Sequence, residues 1–239
     1  ILFLPILLAT SASTMAGFFS VAFTQRIKMN DPVVVTWMLL IASLLSAFIF
    51  FLSHLSVAAL SIFSSLLGNA ILFGLIITFL LIGILKRIPV YESFIEGAKE
   101  GFDVSRNLLP YLVAMLCAVG ILRASGALNV TLDMIRYLVN SFHWDTRFVD
   151  AIPTALVKPF SGSAARAMLI DTMTTHGVDS FPSLLAATIQ GSTETTFYVL
   201  AVYFGAVGIQ RARHAVACAL FADLIGVLAS IAICYWFFG

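Results

Sequence analysis

From Val57 to Leu85 the chain carries no charged residue at all, and from Val33 to Leu55 none interrupts the run before His54. A helix needs roughly 20 apolar residues to cross a hydrocarbon layer about 30 Å thick. Both runs exceed what a buried core helix uses. Neither alternates apolar with polar residues, as a membrane barrel strand would. The chain is 61% hydrophobic and 10% charged, with a mean hydropathy of +1.04. A soluble domain carries about a quarter charged residues. The expected fold class is therefore an all-α integral membrane protein, a multi-span bundle in a lipid bilayer.

The first span is read as Ile1 to Phe23, followed by a polar turn over 24–32 and a second span from Val33 to about Leu55. A third ends at Leu85, and a last one runs from Ala215 to Phe238 with an aromatic belt at Tyr235 to Phe238. The opening apolar run lacks a preceding basic region and is too long for a signal-peptide core. It suggests a piece of a longer protein. Net charge is +1, so no global field points to nucleic acid. Cys117, Cys218 and Cys234 lie in apolar segments without metal-like spacing and read as packed small hydrophobes.

Two stretches have amphipathic spacing. Over about 89–106, Tyr91, Phe94, Ile95, Ala98 and Phe102 recur at helical intervals opposite Glu92, Glu96, Lys99, Glu100 and Asp103. Over 127–142, Leu128, Leu132, Ile135, Leu138 and Phe142 oppose Asn129, Asp133, Arg136 and Asn140. Both are expected to be surface helices. A shorter apolar segment, 108–122, lies between them and is entered through Pro110.

Two further apolar stretches are interrupted by polar residues. Phe148 to Met173 breaks at Lys158-Pro159-Phe160-Ser161-Gly162-Ser163, and Phe181 to Ile209 breaks at Gln190-Gly191-Ser192-Thr193-Glu194-Thr195. Irregular backbone at membrane depth is tolerated only where protein or a watery cavity surrounds it. Two such breaks point to a solute site where half-helices meet. The candidate solute-binding residues are Lys158, Ser161, Gly162, Ser163, Arg166, Gln190, Ser192, Thr193, Glu194 and Thr195. Lone ions are costly in hydrocarbon, so Lys158 and Arg166 are expected to pair with Asp171, Glu194 and Asp223. The blander reading is that Ser, Thr and Gly only permit close helix packing.

The positive-inside rule places Arg26, Lys28, Lys86, Arg87, Lys99 and Arg106 in the cytoplasm. Arg211, Arg213 and His214 join them if 148–173 is a re-entrant hairpin and 181–209 crosses as a broken helix. No phosphate loop, HExxH or GxSxG motif is present. Neither a catalytic residue nor a metal site is assigned. A Ser161/Lys158 dyad is conceivable, but Pro159 intervenes.

The stretches Leu109 to Val113 through Arg123 to Ala127, Pro153 to Arg166, and Gln190 to Gly205 together resemble the bacterial spore maturation protein B family. Leu4 to Thr14 resembles the end of spore maturation protein A, the usual partner. The resemblance implies an A–B fusion: residues 1–56 as the end of an A-like half, most of which is missing here, and 57–239 as a B-like gate domain. It also implies a bacterial inner-membrane location. The gate, or nucleoside recognition, superfamily is similar to part of the concentrative nucleoside transporter core. Those transporters carry a Gln-Thr-Glu run at the substrate site. Here two additional residues separate Gln190 from Thr193-Glu194. The resulting expectation is a transporter-like protein binding a small polar solute, nucleoside-like by resemblance. Glu194 would couple to H+ or Na+, with no cofactor. Asp171 and Asp223 would serve as ion-coupling or structural partners. A homo-oligomer is left open. The alternative is a non-transporting scaffold or assembly factor in envelope or spore maturation.

Overall fold

A computed structural model describes residues 2–25, 32–206, 208–209 and 211–239. Among them every regular element is helical. The elements are α1 (Phe3–Thr24), α2 (Pro32–Ser53), α3 (Val57–Leu85), α4 (Val90–Ala124) and α5 (Ala127–Ser141). A 3-10 turn (Val149–Ala151) then leads into α6 (Ile152–Val157). After it come α7 (Gly162–His176), α8 (Phe181–Ser192), α9 (Thr196–Ala206) and α10 (Ala215–Phe238). Residues 26–31 of the expected polar turn, with Arg26 and Lys28, lie outside the described residues.

The helices begin and end where local chemistry directs. Ser56 and Ser161 cap α3 and α7, their hydroxyls accepting from the N–H of Ala59 and Ala164. Pro153 and Pro182 sit in the first turns of α6 and α8, where a missing N–H is harmless. Gly126, at φ 75°, turns the chain between α4 and α5, and Gly177, at φ 92°, ends α7. Both lie in backbone territory that glycine occupies without strain.

Helices α1, α2, α3 and α10 are long and apolar enough to cross a membrane, consistent with the spans read from the sequence. The bent pair Leu116–Ala124 and Ala127–Ser141, turned by 70°, can count as a fifth. The most apolar stretch of α3 has no buried residue, so its surface requires lipid or another apolar partner. Together these helices make a multi-pass membrane protein. At about 1.5 Å per residue, none of α6 to α9 spans the hydrocarbon layer alone.

One element differs from expectation. The segments around Pro110 form a single 35-residue helix, α4, rather than a surface helix followed by a separate apolar one. Pro110 removes one backbone hydrogen bond, but strong helix formers on both sides carry the helix through. Helix α5 forms as its periodicity indicates. Leu128 and Leu132 pack on Val149, while Leu138 and Phe142 stay exposed.

The core lies along α1, α10 and α8. Leu4 and Leu8 meet Leu52, Leu60 and Phe237 at one end of α1. Leu185, Ala186 and Ile189 of α8 meet Ala151 and Cys234. Phe237 of the expected aromatic belt is therefore a core residue. Cys218 and Cys234 are buried as expected, but Cys117 faces outward. A smaller cluster joins Val119 of α4 to Ala167 and Met168 of α7.

Candidate functional site

The two polar breaks meet. The backbone N–H of Phe197, in the first turn of α9, donates to the carbonyl of Pro159 at 3.0 Å. The rings of Phe160 and Phe197 stack beside this bond, 5.1 Å between centroids. A Cβ on Gly162 would come within 3.1 Å of the Thr195 hydroxyl, so the absent side chain permits close approach.

Each half-helix end is answered by a charge of the appropriate sign. A helix leaves its last carbonyls unpaired, and its C-terminus carries partial negative charge. Near the end of α8, the buried Lys158 ammonium donates to the Gln190 carbonyl at 2.9 Å. Near the start of α9, the Asp223 carboxylate accepts from the Thr196 hydroxyl and from the Glu194 backbone N–H at 3.3 Å. Lys158 and Asp223 thus fix the break in position from opposite sides.

Small residues bring α1 and α10 against this junction. A Cβ on Gly226 would lie 3.1 Å from both the Ser13 Cβ and the Thr193 Cγ2. The Ser192 and Ser230 hydroxyls are 2.9 Å apart, and Ser13 donates to the Ala222 carbonyl at 2.9 Å. Substituting Gly226→Leu is expected to force these elements apart at a cost of about 2 kcal/mol, as overpacked cores do. A lowered melting temperature in detergent checks it; a wild-type melting temperature would contradict this close packing.

The candidate residues do not all play the expected parts. Ser161 caps α7, and its hydroxyl lies 3.1 Å from that of Ser163. Thr193 donates to the Ile189 carbonyl at 2.7 Å. Lys158 Nζ reaches the Gln190 carbonyl rather than Ser161, so the conceivable dyad is not assembled. Gln190 Oε1 is buried without a hydrogen-bond partner among the described residues. Glu194 and Arg166 are exposed.

The expected ion pairing is corrected. Asp171 pairs not with Lys158 or Arg166 but with Arg123 of α4, whose Nε lies 2.9 and 3.0 Å from its two oxygens and whose Nη2 makes a further contact. The cause is helical phase. Asp171 shares the face of Ala167 and Met168, which packs on α4, while Arg166 faces elsewhere. Among the described residues, Lys158 has no carboxylate within 4.0 Å. It lies within electrostatic reach of Glu194 and Asp223.

Several polar contacts were not readable from the sequence. Arg136 binds Asp133 at 2.7 Å and also contacts Asp150, and His176 Nε2 lies 3.8 Å from Asp150. Beyond the break, Arg147 stands over the rings of Phe181 and Tyr235, 5.0 and 5.3 Å from their centroids. The Arg147 backbone N–H, helped by its guanidinium, holds the Asp145 carboxyl below its ordinary range. Arg123 was legible only as a charge ending an apolar run.

Comparison with known proteins agrees with this architecture. The model of the Gate family, described as nucleoside recognition, matches residues 105–210 and so includes both breaks. Spore maturation protein B of Bacillus subtilis (strain 168) is 46% identical over 160 residues, covering 67% of this chain and 88% of that protein. No solved structure matches. With both breaks inside the matched domain and most of that relative aligned, the chain belongs to the spore maturation protein B family of nucleoside-recognition-domain membrane proteins.

Proposed function

We propose that the junction of the two breaks binds a small polar solute, with nucleosides the first class to test, and that the protein moves it across a bacterial inner membrane. The observation carrying this reading is the buried, unpartnered Gln190 Oε1 on the residue whose carbonyl holds Lys158. A buried acceptor without a partner is costly unless something else completes it. A solute donating to Gln190 would do so. Lys158, a three-donor ammonium with one hydrogen bond among the described residues, can meet an acceptor on the same solute. Ser161, Ser163, Ser192, Thr193 and Thr195 surround the two breaks, and exposed Arg166 and Glu194 flank the approach. The family description, nucleoside recognition, supports the choice of class.

In this reading 148–173 is a re-entrant hairpin and 181–209 a broken crossing. Glu194 carries the coupling proton or sodium ion, no cofactor takes part, and the chain is not an enzyme. Residues 1–56 act as the end of an A-like half, with the rest of that half as partner, and copies of the protein can pair. Substituting Glu194→Gln removes the titratable charge but keeps the size. In proteoliposomes, uptake of adenosine or uridine driven by a proton or sodium gradient is expected in wild type and lost in Glu194→Gln. Equal gradient-driven uptake in both would remove Glu194 from the mechanism. No uptake in wild type would remove transport.

A second reading has its own support. Thr196 donates to Asp223, the Ser192 and Ser230 hydroxyls meet, and the Phe197 N–H donates to the Pro159 carbonyl, as in a closed structural core. A scaffold or assembly role in envelope or spore maturation needs no more than this.

A further inference from the structure

A second polar constellation lies away from the junction. Arg123 at the end of α4, Asn129 and Arg136 on α5, Asp150 before α6, and Asp171 and His176 on α7 line one cavity of about 220 Å³. At about 30 Å³ of liquid volume per molecule, that is room for roughly seven waters, or one solute the size of a small amino acid.

The charges in this cavity balance: two arginines face two aspartates. Their bonding is incomplete. Arg123 engages Asp171 through Nε and Nη2, leaving Nη1 without a partner among the described residues. Arg136 uses Nη1 on Asp133 and Nη2 on Asp150, leaving Nε. Among the described residues Asp150 accepts on Oδ1 alone, so Oδ2 remains open. His176 stands 3.8 Å from Asp150 Oδ1, beyond hydrogen-bond distance. Thr172 and Thr175 donate to backbone carbonyls of their own helix and keep lone pairs. Residues that carry open donors and open acceptors of opposite charge thus line the same small space.

We infer that this cavity is a binding site for a zwitterionic solute of amino-acid size. Its carboxylate would meet Arg123 Nη1 and the Asn129 amide, and its ammonium would meet Asp150 Oδ2. An anion alone would leave Asp150 opposed to it, and a cation alone would face two guanidiniums. Only a solute with both charges complements both sets. Leu128, Leu132 and Pro153 line this cavity and also a second, apolar one of about 190 Å³, so apolar surface for a short side chain lies beside the charged groups.

The test uses the purified full chain in detergent and isothermal titration with L-alanine, L-leucine and L-glutamate. Each is compared with its N-acetyl and carboxamide derivatives, which lack one of the two charges. At least one free amino acid is expected to bind saturably, and its two derivatives to bind about tenfold more weakly or worse, as the loss of a charge-assisted hydrogen bond implies. Asn129→Ala and His176→Gln break neither arginine pair. Asn129→Ala is expected to weaken binding about threefold or more, with the unliganded melting temperature of both variants unmoved. Absence of binding by all three free amino acids overturns the inference. So does equal binding of the derivatives, or full affinity in Asn129→Ala. Nucleoside binding at the junction is a separate readout, so either reading can fail without the other.

Discussion

Replacing Arg123 with alanine is expected to lower stability by about 2–3 kcal/mol. Removing one member of a buried ion pair strands the other charge, which costs about 3–5 kcal/mol when burial is complete. The side chains of Arg123 and Asp171 retain 33% and 17% of their exposure, which moves the expectation below that range. The pair joins the end of α4 to the second half of α7, so its loss also loosens α7 after the first break. Asp171→Leu alone is expected to be similarly damaging. The double variant Arg123→Leu with Asp171→Leu is expected to recover much of the loss, because no unpaired charge remains. Thermal unfolding in detergent of wild type, the Arg123→Leu and Asp171→Leu single variants and this double variant gives the coupling. Strictly additive losses would show that the two residues stabilise the fold independently.

Substituting Asp223→Ala is expected to cost about 3 kcal/mol. Two donors, the Thr196 hydroxyl and the Glu194 N–H, lose a charged acceptor, and each such bond contributes about 1.5–3 kcal/mol. The start of α9 also loses the negative charge that complements its helix end. Asp223→Asn keeps an acceptor oxygen and is expected to lose about half as much. Proteolysis of the folded protein provides a local readout, because the destabilised region is the 193–195 break and not α10 itself. A protease pattern unchanged in Asp223→Ala would mean that the break is held by other contacts.

The spans were legible because hydrocarbon imposes a single demand on a chain: long unbroken apolar runs. Val57 to Leu85 satisfies it, and α3 occupies those residues. The two breaks were legible for the complementary reason. Pro159, Gly162 and the run from Gln190 to Thr195 place polar and helix-breaking residues where an unbroken span has none. Pro110 misled because proline weakens a helix locally, whereas continuity depends on the residues around it.

Pairing was not legible. Composition shows that Lys158, Arg166, Asp171, Glu194 and Asp223 require partners, but not which face of which helix each occupies. Helical phase turns Asp171 toward Arg123 and leaves Arg166 outward, and tertiary packing alone decides that α4 stands beside α7. Lys158 found a carbonyl rather than a carboxylate, because a half-helix end supplies partial negative charge that residue types do not display. The Arg136 and Asp150 contact, 14 residues apart in the chain, was hidden in what reads as the polar face of a surface helix.

The most direct test of a solute site at the meeting of the two breaks is a thermal-shift measurement on the purified protein with nucleosides and nucleobases. A solute that binds the folded state raises its melting temperature by mass action. A saturable rise is expected with at least one of them, lost in Glu194→Gln and in Lys158→Ala. No rise across the panel from folded protein, or a rise that both variants retain, would contradict it.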